Sequence, residues 1–387
     1  MRIALIYDCL YPNTVGGAER WYRDLGEQLN RTHRVTYVTR RQWGDEGPRT
    51  EFETVAVSPG GDLYTRAGRR RIGPPLRFGW GVFWHLLRHA GRYDAVHTAS
   101  FPYFSVLGAA LALRLRRSRA MLIVDWHELW ARDYWLSYLG PVGGRIGLAV
   151  QALCLRLPDH SFTFSRLVEG RLLAARPGAA VTRLTGEYAG ASLEDVDPGP
   201  APGPSVVFAG RHIHEKHVTA IPPAIAAARR ELPDLDCAIL GEGPETEALR
   251  RQVRELGLEG AIDVRGRVEL SEVSATIAAA GCLVSPSERE GYGQVIVEAA
   301  ALGTPAIVVA GPENAAVELV APGVNGFLAD SRDPEVLGAL IVAALRGGEE
   351  LRRTTRQWYA EHRTGLSLRH SLEVVESVYA SLQAAKP

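Results

Sequence analysis

Ser285–Ala310, SPSEREGYGQVIVEAAALGTPAIVVA, reads as a loop, a helix and a buried strand. SPSEREGYG is polar and Gly-rich, QVIVEAAAL has helical composition and spacing, and PAIVVA is a short apolar run bounded by Pro and Gly. Two acids stand eight residues apart: Glu290 in the Gly loop and Glu298 about two turns into the expected helix. The loop offers backbone N–H groups and the positive end of a helix dipole, which suit an anion. A carboxylate two turns further on suits hydroxyl groups instead. The pair points to a ligand that carries both phosphates and sugar hydroxyls, a nucleotide sugar.

Working outward, short apolar runs alternate with helical stretches along the whole chain. In the first half they are RIALIY, RVTYVT, TVAV, DAVHTA, MLIVDW and SFTFS. This βα alternation predicts parallel sheets covered by helices on both faces. At 387 residues the chain exceeds what one hydrophobic core fills, so two domains are expected. The Pro- and Gly-dense AGASLEDVDPGPAPGP is the linker between them. The expected division is 1–190, a linker over 191–204, a second domain over 205–365, and a closing helix over about 366–387 that returns to the first.

No apolar run approaches the ~20 residues of a membrane-spanning helix. MRIALIYDCL reads as a first strand rather than a signal peptide. Cys9, Cys154, Cys237 and Cys282 show neither metal-ligand spacing nor a disulfide framework, and are expected to be buried thiols of a cytoplasmic protein. Asp195-Val196-Asp197 and Asp234-Leu235-Asp236 look like metal-binding pairs, but a Pro-rich setting makes the first incidental, and the second reads the same way. No metal site is expected.

The net charge of zero hides an uneven distribution: +10 over residues 1–190 and −10 over 191–387. A basic first half suggests an anionic partner, and peripheral contact with an anionic membrane is one expectation. Arg66, Arg69, Arg70 and Arg71, followed by Phe78, Trp80, Phe83 and Trp84, form a segment that suits it, but the same residues read first as a solvated loop running into a core-facing helix. Nucleic acid is not expected, because the arginines join no reading motif. GxGxxG is missing after the first strand, which argues against a dinucleotide oxidoreductase.

Chemistry-bearing residues fall at strand ends. Gly16-Gly17 opens the helix after the first strand, where a Gly pair admits a close ligand. MLIVDW runs into His127-Glu128, and Trp126, Trp130, Tyr134, Trp135 and Tyr138 could wall an acceptor pocket there. PSVVFAG leads to Arg211 and Lys216. Arg supplies 42 of the 44 basic residues, so a single internal Lys suggests that a compact ammonium is wanted.

In order, these pieces resemble the family-4 glycosyltransferases of the GT-B fold over nearly the whole chain. The matching residues are Gly16-Gly17, His127-Glu128, Gly210-Arg211 through Lys216, Leu240–Glu245 with its Gly241, Gly266-Arg267-Val268, Glu290 through Glu298, and Gly303-Thr304-Pro305. The resemblance implies two Rossmann-like domains with parallel sheets facing across a cleft. It implies metal-independent, retaining transfer of a sugar from a UDP-sugar first or a GDP-sugar next, without a further cofactor. Arg211 and Lys216 would bind the diphosphate, and Gly16 and Gly17 would let it approach. Glu298 would bind the ribose, and Glu290 the transferred sugar, beside the amides of Tyr292, Gly293 and Gln294. Backbone near Arg267 and Val268 would meet the base, and His127 would stand at the sugar. Asp125 and Glu128 remain lower-ranked nucleophile candidates. The acceptor is expected to be a small molecule, a natural product or a glycan. The alternatives are a membrane-associated enzyme with a lipid-linked acceptor, and a nucleotide-sugar epimerase or hydrolase.

Overall fold

In the computed structural model of the chain, the described residues are all but 15, 46, 62–70, 187–202 and 385–387. Residues 191–202 of the expected linker, Asp195 and Asp197 among them, therefore lie outside the described residues, as do Arg66, Arg69 and Arg70.

The first unit begins β1 (Arg2–Ile6), α1 (Gly17–Asn30), β2 (Arg34–Arg40), β3 (Glu53–Ser58) and α2 (Gly73–His89). It continues β4 (Ala95–Ala99), α3 (Tyr103–Leu115), β5 (Met121–Trp126), α4 (Arg132–Cys154), β6 (His160–Thr163), α5 (Arg166–Ala175) and β7 (Val181–Arg183). The second runs β8 (Ser205–Ala209), α6 (Ile221–Arg229), β9 (Asp236–Leu240), α7 (Thr246–Glu255), β10 (Ile262–Gly266), α8 (Leu270–Ala278) and β11 (Cys282–Ser285). It ends β12 (Arg289–Glu290), α9 (Gln294–Ala301), β13 (Ala306–Val309), β14 (Glu313–Asn314), β15 (Gly326–Ala329) and α10 (Pro334–Leu366). The last helix, α11 (Leu368–Ala384), groups with the first unit.

Both main sheets are parallel. The first has the order β3-β2-β1-β4-β5-β6-β7 and the second β10-β9-β8-β11-β13-β15. Their central strands are buried on both faces, so they read as continuous apolar runs rather than alternating ones. α2 lies against α3 at backbone distance. A Cβ on Gly79 would come within 2.5 Å of the Phe104 carbonyl oxygen, and one on Gly108 within 2.4 Å of the Gly79 carbonyl. Phe78, Val82, Phe83 and Leu86 of α2 enter the core with Val106, Ala109 and Leu113 of α3.

α11 is held to the first unit by polar contacts as well as packing. Tyr379 Oη pairs with His97 Nδ1 at 2.7 Å, and Ser371 Oγ donates to the Gly186 carbonyl at 2.6 Å. Among the described residues, no helix is long and apolar enough to cross a membrane.

Candidate functional site

Strand order reverses in the second sheet between β8 and β11. Connections leaving those strands go to opposite faces, and their carboxyl ends open the crevice where open α/β sheets take ligands. The β8 connection carries Arg211 and Lys216, and the β11 connection carries Glu288 to Gln294. Across this gap Lys216 and Glu290 form an ion pair, both side chains mostly buried. Arg289 faces Glu215 at 3.5 Å, and the Glu288 N–H donates to the Glu215 carbonyl at 2.9 Å. The two loops are thus joined at three consecutive positions on one side.

The Glu290 loop is braced from behind. β12 pairs with β14, and Asn314 Nδ2 donates to the carbonyls of Ser287 at 3.1 Å and Val309 at 2.8 Å. Gly293 precedes α9 at φ 104°, and a Cβ there would stand 2.7 Å from Ala316 Cβ. A side chain is therefore excluded on two counts. Tyr292 is buried, and Gln294 opens the helix. Glu298 is the fifth helical residue, half-buried, so it stands one turn into the helix rather than the two expected. Eight residues separate the two acids, but Glu290 lies in the loop, and only the stretch from Gln294 onward is helical.

Neighbouring loops pack closely against the β8 connection. Gly241 N–H donates to the Gly266 carbonyl at 2.7 Å, which brings the end of β10, with exposed Arg267 and half-buried Val268 following, beside it. A Cβ on Gly241 would stand 1.9 Å from the Gly210 carbonyl oxygen. His212, which the sequence reading gave no role, is fully buried between these loops. Its Nδ1 pairs with Thr246 Oγ1 at 2.9 Å, and burial lowers its pKa to about 4, so it is neutral at ordinary pH. Its position inside the Gly-Arg motif was the available signal.

In the first unit Gly16 caps α1, and Gly17 is its first residue. A Cβ on Gly16 would meet the Glu19 carboxylate at 2.4 Å. His127 follows β5 directly and stacks on Phe164, ring centroids 4.1 Å apart. Glu128 accepts from Trp130 Nε1 at 2.9 Å.

Two expectations change here. Asp125 is not available as a nucleophile. It is fully buried and accepts hydrogen bonds from Trp21 Nε1 at 3.1 Å and Tyr22 Oη at 2.9 Å, and pairs with His97 Nε2 at 2.5 Å. Trp126 and Trp135 are core residues rather than pocket walls, and Trp130 is nearly so. Their indoles are engaged inward: Trp126 Nε1 donates to Ser161 Oγ at 3.2 Å and Trp135 Nε1 to Gln151 Oε1 at 3.0 Å. Tyr134 and Glu128 keep partial exposure.

This arrangement matches known protein families in both halves. Residues 15–177 match the model of "Glycosyltransferase Family 4" and residues 198–360 that of "Glycosyl transferases group 1". The chain belongs to the family-4 glycosyltransferases. A relative in Mycolicibacterium smegmatis, a GDP-mannose-dependent alpha-(1-6)-phosphatidylinositol monomannoside mannosyltransferase, is 29% identical over 243 residues, 52% of this chain and 62% of its own length. The chain spans less than two thirds of the length of the curated relatives that it matches first. Among solved structures, sucrose-phosphate synthase from Thermosynechococcus elongatus superposes with a TM-score of 0.79 at 20% identity, covering 100% of both chains. Anabaena HepE, in complex with UDP and glucose, gives 0.76 at 17% identity over 98% of this chain and 100% of its own. The fold of the chain is GT-B.

Proposed function

We propose that the chain transfers a sugar, with retention, from a nucleotide-diphosphate sugar to a hydroxyl or another nucleophile of a small-molecule, natural-product or glycan acceptor. The Lys216–Glu290 pair over the β8/β11 crevice carries the reading, because it puts a phosphate-binding cation beside a hydroxyl-binding acid. Arg211 and Lys216 neutralise the diphosphate, and Gly16 and Gly17 admit it. Glu298 holds the ribose, and Glu290 the transferred sugar, with the amides of Tyr292, Gly293 and Gln294 alongside. Gly241, Arg267 and Val268 border the base, and His127 stands at the sugar. A UDP-sugar is the first choice, in keeping with the ligand of HepE, and a GDP-sugar the second, in keeping with the mannosyltransferase relative.

In the step, the acceptor oxygen bonds to the anomeric carbon as the bond from that carbon to the diphosphate oxygen breaks. The departing diphosphate oxygen takes the acceptor's proton on the same face. Charge grows on the diphosphate during this step, and preorganised cations and amides lower its cost without a metal. A thermal-shift screen against UDP, GDP, ADP and dTDP and their sugars tests the donor, since binding to the native state raises the melting temperature. Silence towards every nucleotide would reject the donor site.

A second reading places the acceptor at a membrane surface. Ile72, Leu76, Trp80 and Trp84 recur every four residues at the start and along one face of α2, all exposed, Trp80 by 61%. Arg71, Arg77 and Arg88 are exposed around them, and Arg88 lies over the Trp84 ring at 4.9 Å. Apolar rings flanked by cations suit an anionic interface. Co-sedimentation with anionic vesicles, lost in the Trp80→Ala variant, is the expected result; equal binding to neutral vesicles, or none, rejects it.

A further inference from the structure

We propose that His214, His217 and Glu288 form a binding site for a borderline divalent metal ion of the zinc class, and that the ion clamps the two loops carrying Lys216 and Glu290. The three side chains offer one donor atom each, all within 4.8 Å of one another. His217 Nε2 lies 3.1 Å from Glu288 Oε2, and the rings of His214 and His217 are 5.1 Å apart between centroids. Donor atoms of a tetrahedral zinc site stand roughly 3.3 Å apart, given bond lengths near 2.0–2.2 Å. One pair already meets that spacing, and the third donor, on the exposed His214, lies within 4.8 Å of both.

The backbone supports the cluster. His217 adopts a left-handed conformation, φ 46° and ψ 41°, which costs a non-Gly residue of order 1 kcal/mol or more. That turn ends the short helical segment His214–Lys216 and brings the His217 imidazole to Glu288. Glu288 is placed by its own N–H on the Glu215 carbonyl. Strain at His217 is thus spent on holding an imidazole beside a carboxylate.

Ligand chemistry selects the ion. Two imidazole nitrogens and one carboxylate oxygen suit zinc, nickel or copper, whereas magnesium and calcium prefer oxygen alone. All four cysteines are buried and do not compete in the folded chain. Among the described residues this is the one such cluster of three. Bound metal would join residues 214 and 217 to 288, on either side of Lys216 and two residues before Glu290.

Isothermal calorimetry of the untagged, EDTA-treated chain with zinc chloride tests the site, with magnesium chloride as the comparison. Expected is one zinc per chain, with affinity reduced tenfold or more in His217→Ala and in Glu288→Gln, and no change in His89→Ala, which removes an imidazole elsewhere. Magnesium should give no saturable heat. His214→Ala changes an exposed side chain, and should weaken zinc binding while leaving thermal unfolding in EDTA unaltered. No saturable zinc binding, or binding that none of the three substitutions weakens, would overturn the site. Neither result depends on a nucleotide, so the donor reading stands or falls separately.

Discussion

Lys216 and Glu290 are 74 residues apart in the chain and meet as an ion pair between the loops that leave β8 and β11. In the absence of ligand each neutralises the other, so neither is left as a bare buried charge. An incoming diphosphate would take over the ammonium, and sugar hydroxyls the carboxylate. Lys216→Ala is expected to lower turnover at saturating donor by roughly 10²-fold, comparable to the loss of one oxyanion donor. Glu290→Gln should do the same, and the double variant should fall short of the product of the two, because contacting residues couple. Full activity of Lys216→Ala at saturating donor would refute the neutralising role.

Asp125 ties the carboxyl end of β5 to α1 and to β4 beside it. Burial pushes its carboxyl up, but the His97 imidazole beside it, helped by His127 and the Trp21 indole, outweighs burial and holds the group below the ordinary carboxylate value. A depressed acid stabilises the fold above its unfolded pKa of 3.8, and that contribution fades as pH falls below this value. Asp125→Ala should cost about 3–5 kcal/mol at neutral pH, since it strands His97, Tyr22 and the Trp21 N–H. Urea unfolding should show a constant gap from wild type above about pH 5 and a narrowing one below about pH 4. A gap that does not change with pH would show that packing, not charge, is what Asp125 supplies.

Periodicity made most of the fold legible. Each of the six apolar runs of the first half is a strand, and PAIVVA is β13. β11, only Cys282–Ser285, is too short to show a period of its own, although it sits at the centre of its sheet. β7 is three half-buried residues with no apolar pattern to read, and β15 is only four residues long, with two of them half-buried. In the site, the order of Arg211, Lys216 and Glu290 was legible because strand ends of parallel sheets are ligand positions. The buried partners were not. Nothing local ties Asp125 to Trp21, about a hundred residues earlier, or His97 to Tyr379, and an acid inside MLIVDW was the one hint. The Trp cluster misled for a related reason: aromatic content marks a core as readily as a pocket.

Gly241 offers a test of loop packing near the proposed donor site. Its φ of 121° is one that L side chains rarely adopt, and a Cβ would press into the Gly210 carbonyl oxygen at 1.9 Å, a backbone atom that cannot swing away. Gly241→Ala should therefore displace the Gly210-Arg211 turn. Expected are a loss of stability of about 2–3 kcal/mol and a weaker thermal response to nucleotide. Unchanged unfolding and nucleotide response would show that this contact yields without cost.

Asp24 on α1 predicts a pH dependence of the opposite sign. Burial, then the neighbouring Glu27, raises its pKa from 3.8 to about 6, and Arg20 and Arg23 only partly offset them. Arg23 is already paired with Glu27. Between those two values the folded chain holds a proton that the unfolded chain has released. Stability therefore falls as pH rises from about 4 to about 6, and stays lower above that. Full conversion of the shift would give about 3 kcal/mol, and partial solvent access reduces this to about 1–2 kcal/mol. Asp24→Asn removes the ionisation and keeps the shape. Urea unfolding should find the variant equal to wild type near pH 4 and more stable by about 1–2 kcal/mol at pH 7.5. Equal stability at both pH values would mean that water reaches Asp24 freely and that burial does not set its proton affinity.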